Sequence, residues 1–504
     1  MKNLMFLLIL ALGIKVNAQV AINANSALPD NSAMLDISGT SKGVLLPRMT
    51  SIQRKAIVNP ATGLMVFDTD KSCFYYFDGS VWQALVASYD ANTPGISKFA
   101  SDAAAGDQFG YSVAISGDYA VVGAPYADIN GHLDQGVAYI FFRSGGVWAE
   151  QAKISASNGK ASDYFGYSVA IDGDYVVVGA PFRDVPVNAP FFPPPVNDDQ
   201  GTVYVFKRTV TTWNQQSILV IADGATGDRF GTSVSVSGNY LVAGAPYADY
   251  NSPNPQVLPS QYRAGVAYVF NTNGTIWTLH ATLAGGLESI LPGWGWVCDS
   301  GEMGMSVSIS NTTIIAGAPN VRTSSNQSLR NGAAFIFNLV NGIWQQEDNG
   351  YNYVHHQINN LDVVGDYQRC GYSVSIGTGG YIMGCPNGNM TYPGNYTAAG
   401  LIGSTNSVSY GYNGVNSFPS NYSYFGVNVS AGTQYLVAGS SGSEYAVVYS
   451  ANPVKYVRKI NKPSPSAAAF GSAVAISGSN IIIGAPQDFG KDMAAGAVYF
   501  YNLE

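Results

Sequence analysis

Residues 107–125 read "DQFGYSVAISGDYAVVGAP", 163–181 read "DYFGYSVAIDGDYVVVGAP" and 228–246 read "DRFGTSVSVSGNYLVAGAP". The first alternating run, "YSVAI", has the period of a strand. "SGD" is a tight turn in which Gly and Asp tolerate positive φ. "YAVVGA" is apolar on both faces, as a strand covered on both sides must be. Pro125 ends it, because proline cannot donate to a strand ladder. "GVAYIFF" and, after "RSGG", "VWAEQAKI" supply a third and a fourth strand. Each unit is therefore expected to be a four-stranded antiparallel sheet.

The marker continues along the chain. Phe-Gly stands at 109, 165, 230, 425 and 470, with Met303-Gly304 and Cys370-Gly371 in the matching places of two weaker copies. Gly-Ala-Pro begins at 123, 179, 244, 317 and 484, and becomes Gly384-Cys385-Pro386 and Gly439-Ser440-Ser441 in the other two. Seven units follow, at a period typical of propellers and solenoids. Four strands per unit make one propeller blade. The fold class is all-β: a seven-bladed β-propeller over 91–504, preceded by a small β-rich module over 19–90. The last unit, "GAVYFYNLE", stops at its third strand. "GISKFAS" at 95–101 matches the end of a fourth strand and is expected to close blade 7.

These units resemble the FG-GAP repeat of integrin alpha subunits and of many bacterial surface proteins. The resemblance covers about four fifths of the chain. It implies a propeller whose connector face takes part in ligand binding. The family often carries calcium between strands one and two, in a loop of alternating Asp and Asn. Here that turn is "SGDY", "DGDY", "SGNY" or "SNTT", too short for the six to eight oxygens calcium takes. The family's metal sites do not carry over, and no cofactor is expected. Asp118 and Asp174 read as turn residues. "DINGHLD" at 128–134 has an Asp-x-Asn-Gly rhythm in a different loop, so Asp128, Asn130 and Asp134 are the weak calcium candidates, against a polar surface turn.

Residues 1–18 read as a secretory signal: Lys2, an apolar run from Leu4 to Ile14, and Val16-Asn17-Ala18 before the cut. The run is too short to span a bilayer, and no later stretch is expected to insert. The protein is expected to be exported, to the outer surface or beyond. "SAMLDISGTSKGVLLPRMTSIQRKAI" (32–57) and "PATGLMVFDTDKSCFYYFDGSVWQAL" (60–85) resemble a module found at the N-terminus of secreted bacterial surface proteins and of tail-fibre-like proteins.

The net charge is −8 with no Lys/Arg-rich run, which argues against nucleic acid as a partner. Four histidines, none in a metal-binding spacing, and no Gly-x-Ser-x-Gly elbow leave catalysis unsupported. Asp107, Asp163 and Asp228 recur two residues before Phe-Gly, so they read as structural acceptors of backbone N–H groups. Trp148, Trp213, Trp277 and Trp344 read as packing between blades, a lectin-like role requiring them to be exposed. Cys370 and Cys385 replace the Phe and the Ala of one unit, fifteen residues apart. A tight turn brings such positions opposite one another, which favours a disulfide. The alternative is two buried thiols. Cys73 and Cys298 stay unassigned.

The connectors between strands two and three are long and unlike one another: 182–200, 247–264, 320–331 and 387–399. A rigid scaffold with variable loops on one face carries binding function, and Tyr, Asn, Ser and Pro suit it. Phe191, Phe192, Tyr247, Tyr250, Tyr262 and Arg263 are the candidate binding residues, against loops that only cover the ring. The reading is a non-catalytic adhesion or recognition protein with an extracellular protein or glycan as partner. Its alternative is a carbohydrate-binding protein or polysaccharide-acting enzyme on the same scaffold.

Overall fold

A computed structural model describes residues 20–23, 28–30, 32–70, 73–85, 95–186, 196–249, 263–284, 301–321, 332–346, 369–378, 380–384, 386, 401–403, 425–442, 444–451 and 454–503. The chain divides into two compact units, Met1–Asp90 and Ala91–Glu504. The signal sequence lies outside the described residues.

In the first unit, Arg48–Met49, Met65–Asp68, Cys73–Phe77 and Trp82–Leu85 form one sheet in that order, the first pair parallel and the others antiparallel. A short helix, Ser51–Lys55, starts with a capping box between Thr50 and Gln53. That box satisfies two of the helix's orphan N–H groups. Arg54 and Asp68 form a buried ion pair at 2.9 Å, and the Arg54 guanidinium lies 3.8 Å from the centre of the Tyr75 ring. The unit leaves many large apolar side chains in solvent, among them Leu28, Leu45, Ile52 and Val58, each at least 79% exposed.

In the second unit, the strands Ser112–Ser116, Tyr119–Ala124, Val137–Ser144 and Val147–Ile154 pair antiparallel in chain order. Six such four-stranded sheets and one of three strands lie in this unit among the described residues. The sheet of three is Ser373–Gly377, Gly380–Gly384 and Leu401–Gly403. In the last sheet, Ala473–Ser477, Asn480–Ala485 and Ala497–Asn502 are joined by Ile96–Lys98, which pairs antiparallel with Ala497–Asn502 through Lys98 opposite Val498. The first strand of each sheet packs on the first strand of the next, and that of the last packs on Ser112–Ser116. The architecture is all-β and that of a β-propeller.

The repeated motif makes the seam between sheets. A side chain on Gly123 would put its Cβ 2.0 Å from the Gly166 carbonyl oxygen of the next sheet. The same contact recurs around the ring and closes with Gly484 against Gly110, at 2.1 Å. No residue but glycine tolerates that approach. The carbonyl so enclosed accepts a serine hydroxyl: Ser112 to Gly166 at 2.7 Å, Ser168 to Gly231 at 2.8 Å, Ser233 to Gly304 at 2.8 Å. Phe109, Phe165 and Phe230 are fully buried and meet Tyr139, Tyr204 and Tyr268 edge-on, with centroids 5.3, 5.3 and 5.6 Å apart. Such pairs add roughly 0.5–1.5 kcal/mol beyond their burial.

The tryptophans form a second seam farther out. All four are buried, Trp148 at 3% exposure and the others at 7%. Trp213 meets Tyr119 of the preceding sheet at 5.9 Å, Trp277 meets Tyr175 at 5.3 Å and Trp344 meets Tyr240 at 5.5 Å. Trp148 stacks on Phe500 at 4.4 Å, across the junction of last and first sheets. A lectin-like role for these residues is thereby removed, since no indole face reaches solvent.

Candidate recognition face

The turns between strands one and two and between strands three and four lie on one side of the ring. They are short and tied down. Gly117, Gly173 and Gly238 take left-handed backbone with φ of 57°, 56° and 54°, and Asn311 takes φ 53° at the matching place. Asp118 is paired with Arg143 at 2.7 Å, and Asp174 with Arg208 at 2.5 Å. Both aspartates therefore serve the turns.

The other side carries the long connectors, and the motif's acids build their bases. Asp107 accepts the Ala104 N–H at 2.9 Å, Asp163 that of Lys160 at 2.7 Å, and Asp228 that of Ala225 at 2.8 Å. Burial pushes all three carboxyls above the ordinary carboxylate range. A second set pins the connector between strands two and three. Asp128 accepts the Asp134 N–H at 2.9 Å, Asp184 that of Asp199 at 3.1 Å, and Asp249 that of Arg263 at 2.8 Å. Asp128 is thus the first of three loop pins rather than an isolated feature. Asn130 sits in a tight turn with φ 54°, between Ile129 and His132, which exchange backbone hydrogen bonds at 3.1 and 2.9 Å. Burial and the neighbouring Asp128 raise the Asp134 carboxyl. Among the described residues, no three His, Cys, Asp or Glu side chains gather as metal ligands.

Of the candidate binding residues, Phe191, Phe192, Tyr250 and Tyr262 lie outside the described residues. Tyr247 and Arg263 are brought together, the guanidinium 5.5 Å from the ring centre. They belong to a larger cluster that the sequence reading did not single out. Its members flank the motif on both sides. The residue just before Phe-Gly has left-handed backbone in every described unit: Gln108, Tyr164, Arg229, Glu302, Arg369 and Ala469, with φ between 53° and 58°. For residues other than glycine this conformation carries about 1–2 kcal/mol of strain. It recurs with the buried residue that follows it and the glycine after that, whose carbonyl meets the neighbouring sheet in every one of these units.

Around these side chains stand the residue after Gly-Ala-Pro and the residue after Phe-Gly. Tyr126 meets Tyr164 at 5.1 Å, Tyr164 meets Phe182 at 5.0 Å, and Tyr111 meets Tyr167 at 5.1 Å. Tyr372, from the fifth unit, lies close enough to Tyr111 and Tyr167, from the first and second, to influence both hydroxyls. Units one and five are not neighbours, so this influence acts across the ring rather than along it. Arg229 lies 4.6 Å from the centre of the Phe182 ring and 5.2 Å from that of Tyr247, and Arg369 lies 4.8 Å from that of Tyr372. Burial and Glu302 raise the Tyr247 hydroxyl, while Arg229, Arg369 and Arg263 oppose the shift. The result is a mouth of tyrosines and arginines on the connector face. Its sequence signal is the disagreement among copies at the two positions flanking an otherwise constant motif.

The profile of the FG-GAP repeat matches residues 99–141, 148–206, 213–270 and 465–501. These are FG-GAP repeats. The matches stop across the units with Met303 and Cys370 in place of phenylalanine and the unit with Gly439-Ser440-Ser441 in place of Gly-Ala-Pro. A second profile, the phage tail like trimerisation region, matches residues 21–100. Integrin alpha-7 of Rattus norvegicus is 32% identical over 148 residues, which is 28% of this chain. The chain spans 12% of that relative's length. Among the described residues no helix is long and apolar enough to cross a membrane.

Proposed function

We propose that the chain is an exported, non-catalytic recognition protein. Its seven-bladed FG-GAP propeller presents the connector face to an extracellular protein. The observation that carries this reading is the mouth of the ring, where side chains from the first, second, third and fifth units converge at positions the scaffold leaves free to vary. The seven-blade count is supported by the closed cycle of glycine contacts ending at Gly484 and Gly110. Export rests on the Lys2-to-Ala18 signal pattern.

Two further elements belong to the reading. The Cys370–Cys385 bridge is supported by the disulfide-bonded state of Cys370; Cys385 itself lies outside the described residues. The N-terminal unit joins chains into a trimer. Its match to a trimerisation region and its exposed apolar side chains support that role, because surfaces of that kind mark association sites.

The experiment is a pull-down from host or environmental extracellular extract with the full exported chain. The variant deletes 187–195 with a short Gly linker, keeping Val185–Pro186 and Val196–Asn197, which pair with each other. Asn197 also holds the Gly224 carbonyl at 2.8 Å, so a wider deletion would disturb the scaffold. A partner captured by the wild type and lost by the variant is the expected result. A partner held equally by both removes the connector face as its site.

A further inference from the structure

We propose that Arg369, at the mouth of the ring, holds a side-chain carboxylate of the partner polypeptide, with Tyr372 and Tyr247 beside it. The inference rests on the reading that this face recognises a protein and adds the chemistry of the contact. Arg369 is half-buried, in left-handed backbone, with its guanidinium over Tyr372. Its Nε is buried and makes no hydrogen bond. Among the described residues no carboxylate lies within ion-pair distance of it. A guanidinium cannot shed its charge, and a buried donor without an acceptor is unfavourable. Arg229, by contrast, has the Asp199 carboxylate at 3.8 Å.

The geometry selects the ligand class. Arg presents a planar fork of donors that matches a carboxylate. A neutral sugar would instead need flat aromatic faces to lie on. Here Tyr126, Tyr164 and Phe182 pack edge-on against one another, and Arg229 covers Phe182 and Tyr247. Beside the single carboxylate of Glu302, which adjoins Tyr247, what the described mouth offers is guanidinium and phenol hydrogen-bond donors. In a chain of net charge −8, general attraction for polyanions is small, so affinity for an acidic segment has to come from a local site of this kind.

The probe is fluorescein-labelled poly-L-glutamate, titrated against the full chain, with poly-L-lysine and polygalacturonate as comparisons. Arg369→Gln should weaken poly-L-glutamate binding at least tenfold with an unchanged melting temperature, while Arg369→Lys recovers part of the loss. A readout on the wild type avoids dependence on the variant's folding. Phenylglyoxal modification of Arg369, followed by peptide mass mapping, should be blocked by poly-L-glutamate and not by poly-L-lysine. Equal binding by Arg369→Gln, or no protection of Arg369, overturns the proposal. Protection by polygalacturonate alone overturns the assignment to a polypeptide. A partner captured through residues 187–195 while Arg369 stays unprotected leaves the recognition reading standing and removes this one.

Discussion

Tyr164 and Phe165 are neighbours in the chain and opposites in the fold. Phe165 is fully buried in the seam, and its counterparts Phe109, Phe230 and Phe470 are buried equally. Tyr164 stands at the mouth, and its counterparts are Gln108, Arg229, Glu302, Arg369 and Ala469. One position takes only a buried apolar side chain, Phe or in two units Met303 or Cys370, because the next sheet closes on it. The other has a dictated backbone and an unconstrained side chain. The seam therefore repeats and the mouth diversifies, one residue apart. What recurs in a propeller is what the next sheet encloses; what varies is what stands outside that seam.

The harshest way to test the seam is Gly179→Val. Its Cβ would fall 2.0 Å from the Gly231 carbonyl oxygen and 2.3 Å from the Ser168 hydroxyl that bonds it, and the Gly231 backbone cannot yield. A loss above about 4 kcal/mol is expected, read as failure to recover folded protein or as a collapsed unfolding midpoint. Wild-type stability in that variant would show that the glycine contact does not hold the sheets together. Removing residues 91–101 comes next. It takes away Ile96–Lys98, the buried Ala100 and the Ala100 carbonyl that Lys491 Nζ binds at 2.9 Å. Denaturant unfolding should show a loss above about 3 kcal/mol, given the apolar surface and ladder bonds involved. An unchanged midpoint would mean that the ring does not need this strand.

A gain is expected at His280. The Trp213 indole N–H donates to Gln151 at 3.0 Å and that of Trp277 to Gln216 at 3.1 Å, each glutamine three residues after the preceding tryptophan. At the third such seam the glutamine is replaced by His280, and both Trp344 Nε1 and His280 Nδ1 are buried without a hydrogen bond. His280→Gln should restore the bond and stabilise the chain by about 1 kcal/mol, measured by chemical unfolding near neutral pH. A destabilised variant would show that the repeat's logic does not extend to this blade. The smallest effect belongs to the mouth. Arg263 is exposed, and Arg263→Ala should change stability by less than about 0.5 kcal/mol. A loss of several times that would move Arg263 from the mouth to the scaffold.

The scaffold was legible because the repeat states it again and again. Phe-Gly, the serine two residues on, the tight turn and Gly-Ala-Pro recur in phase. Each has a local physical role, and strand period and turn chemistry follow from neighbours in sequence. The roles of Asp107, Asp163 and Asp228 as connector acceptors were legible for the same reason. The mouth was half legible. Tyr247 and Arg263 could be suspected from loop composition, but Tyr111, Tyr167 and Tyr372 looked like ordinary strand residues. Their meeting depends on how wide the ring is and where its axis runs.

The sequence by itself therefore determined the blades: which segments pair and where strands turn. Only the tertiary structure decided which residues of separate blades share a surface. Strand pairing is settled over a few residues by local hydrogen bonds and side-chain period. The distance between Tyr111 and Tyr372 is settled by the closure of the whole ring, a sum over every seam between them.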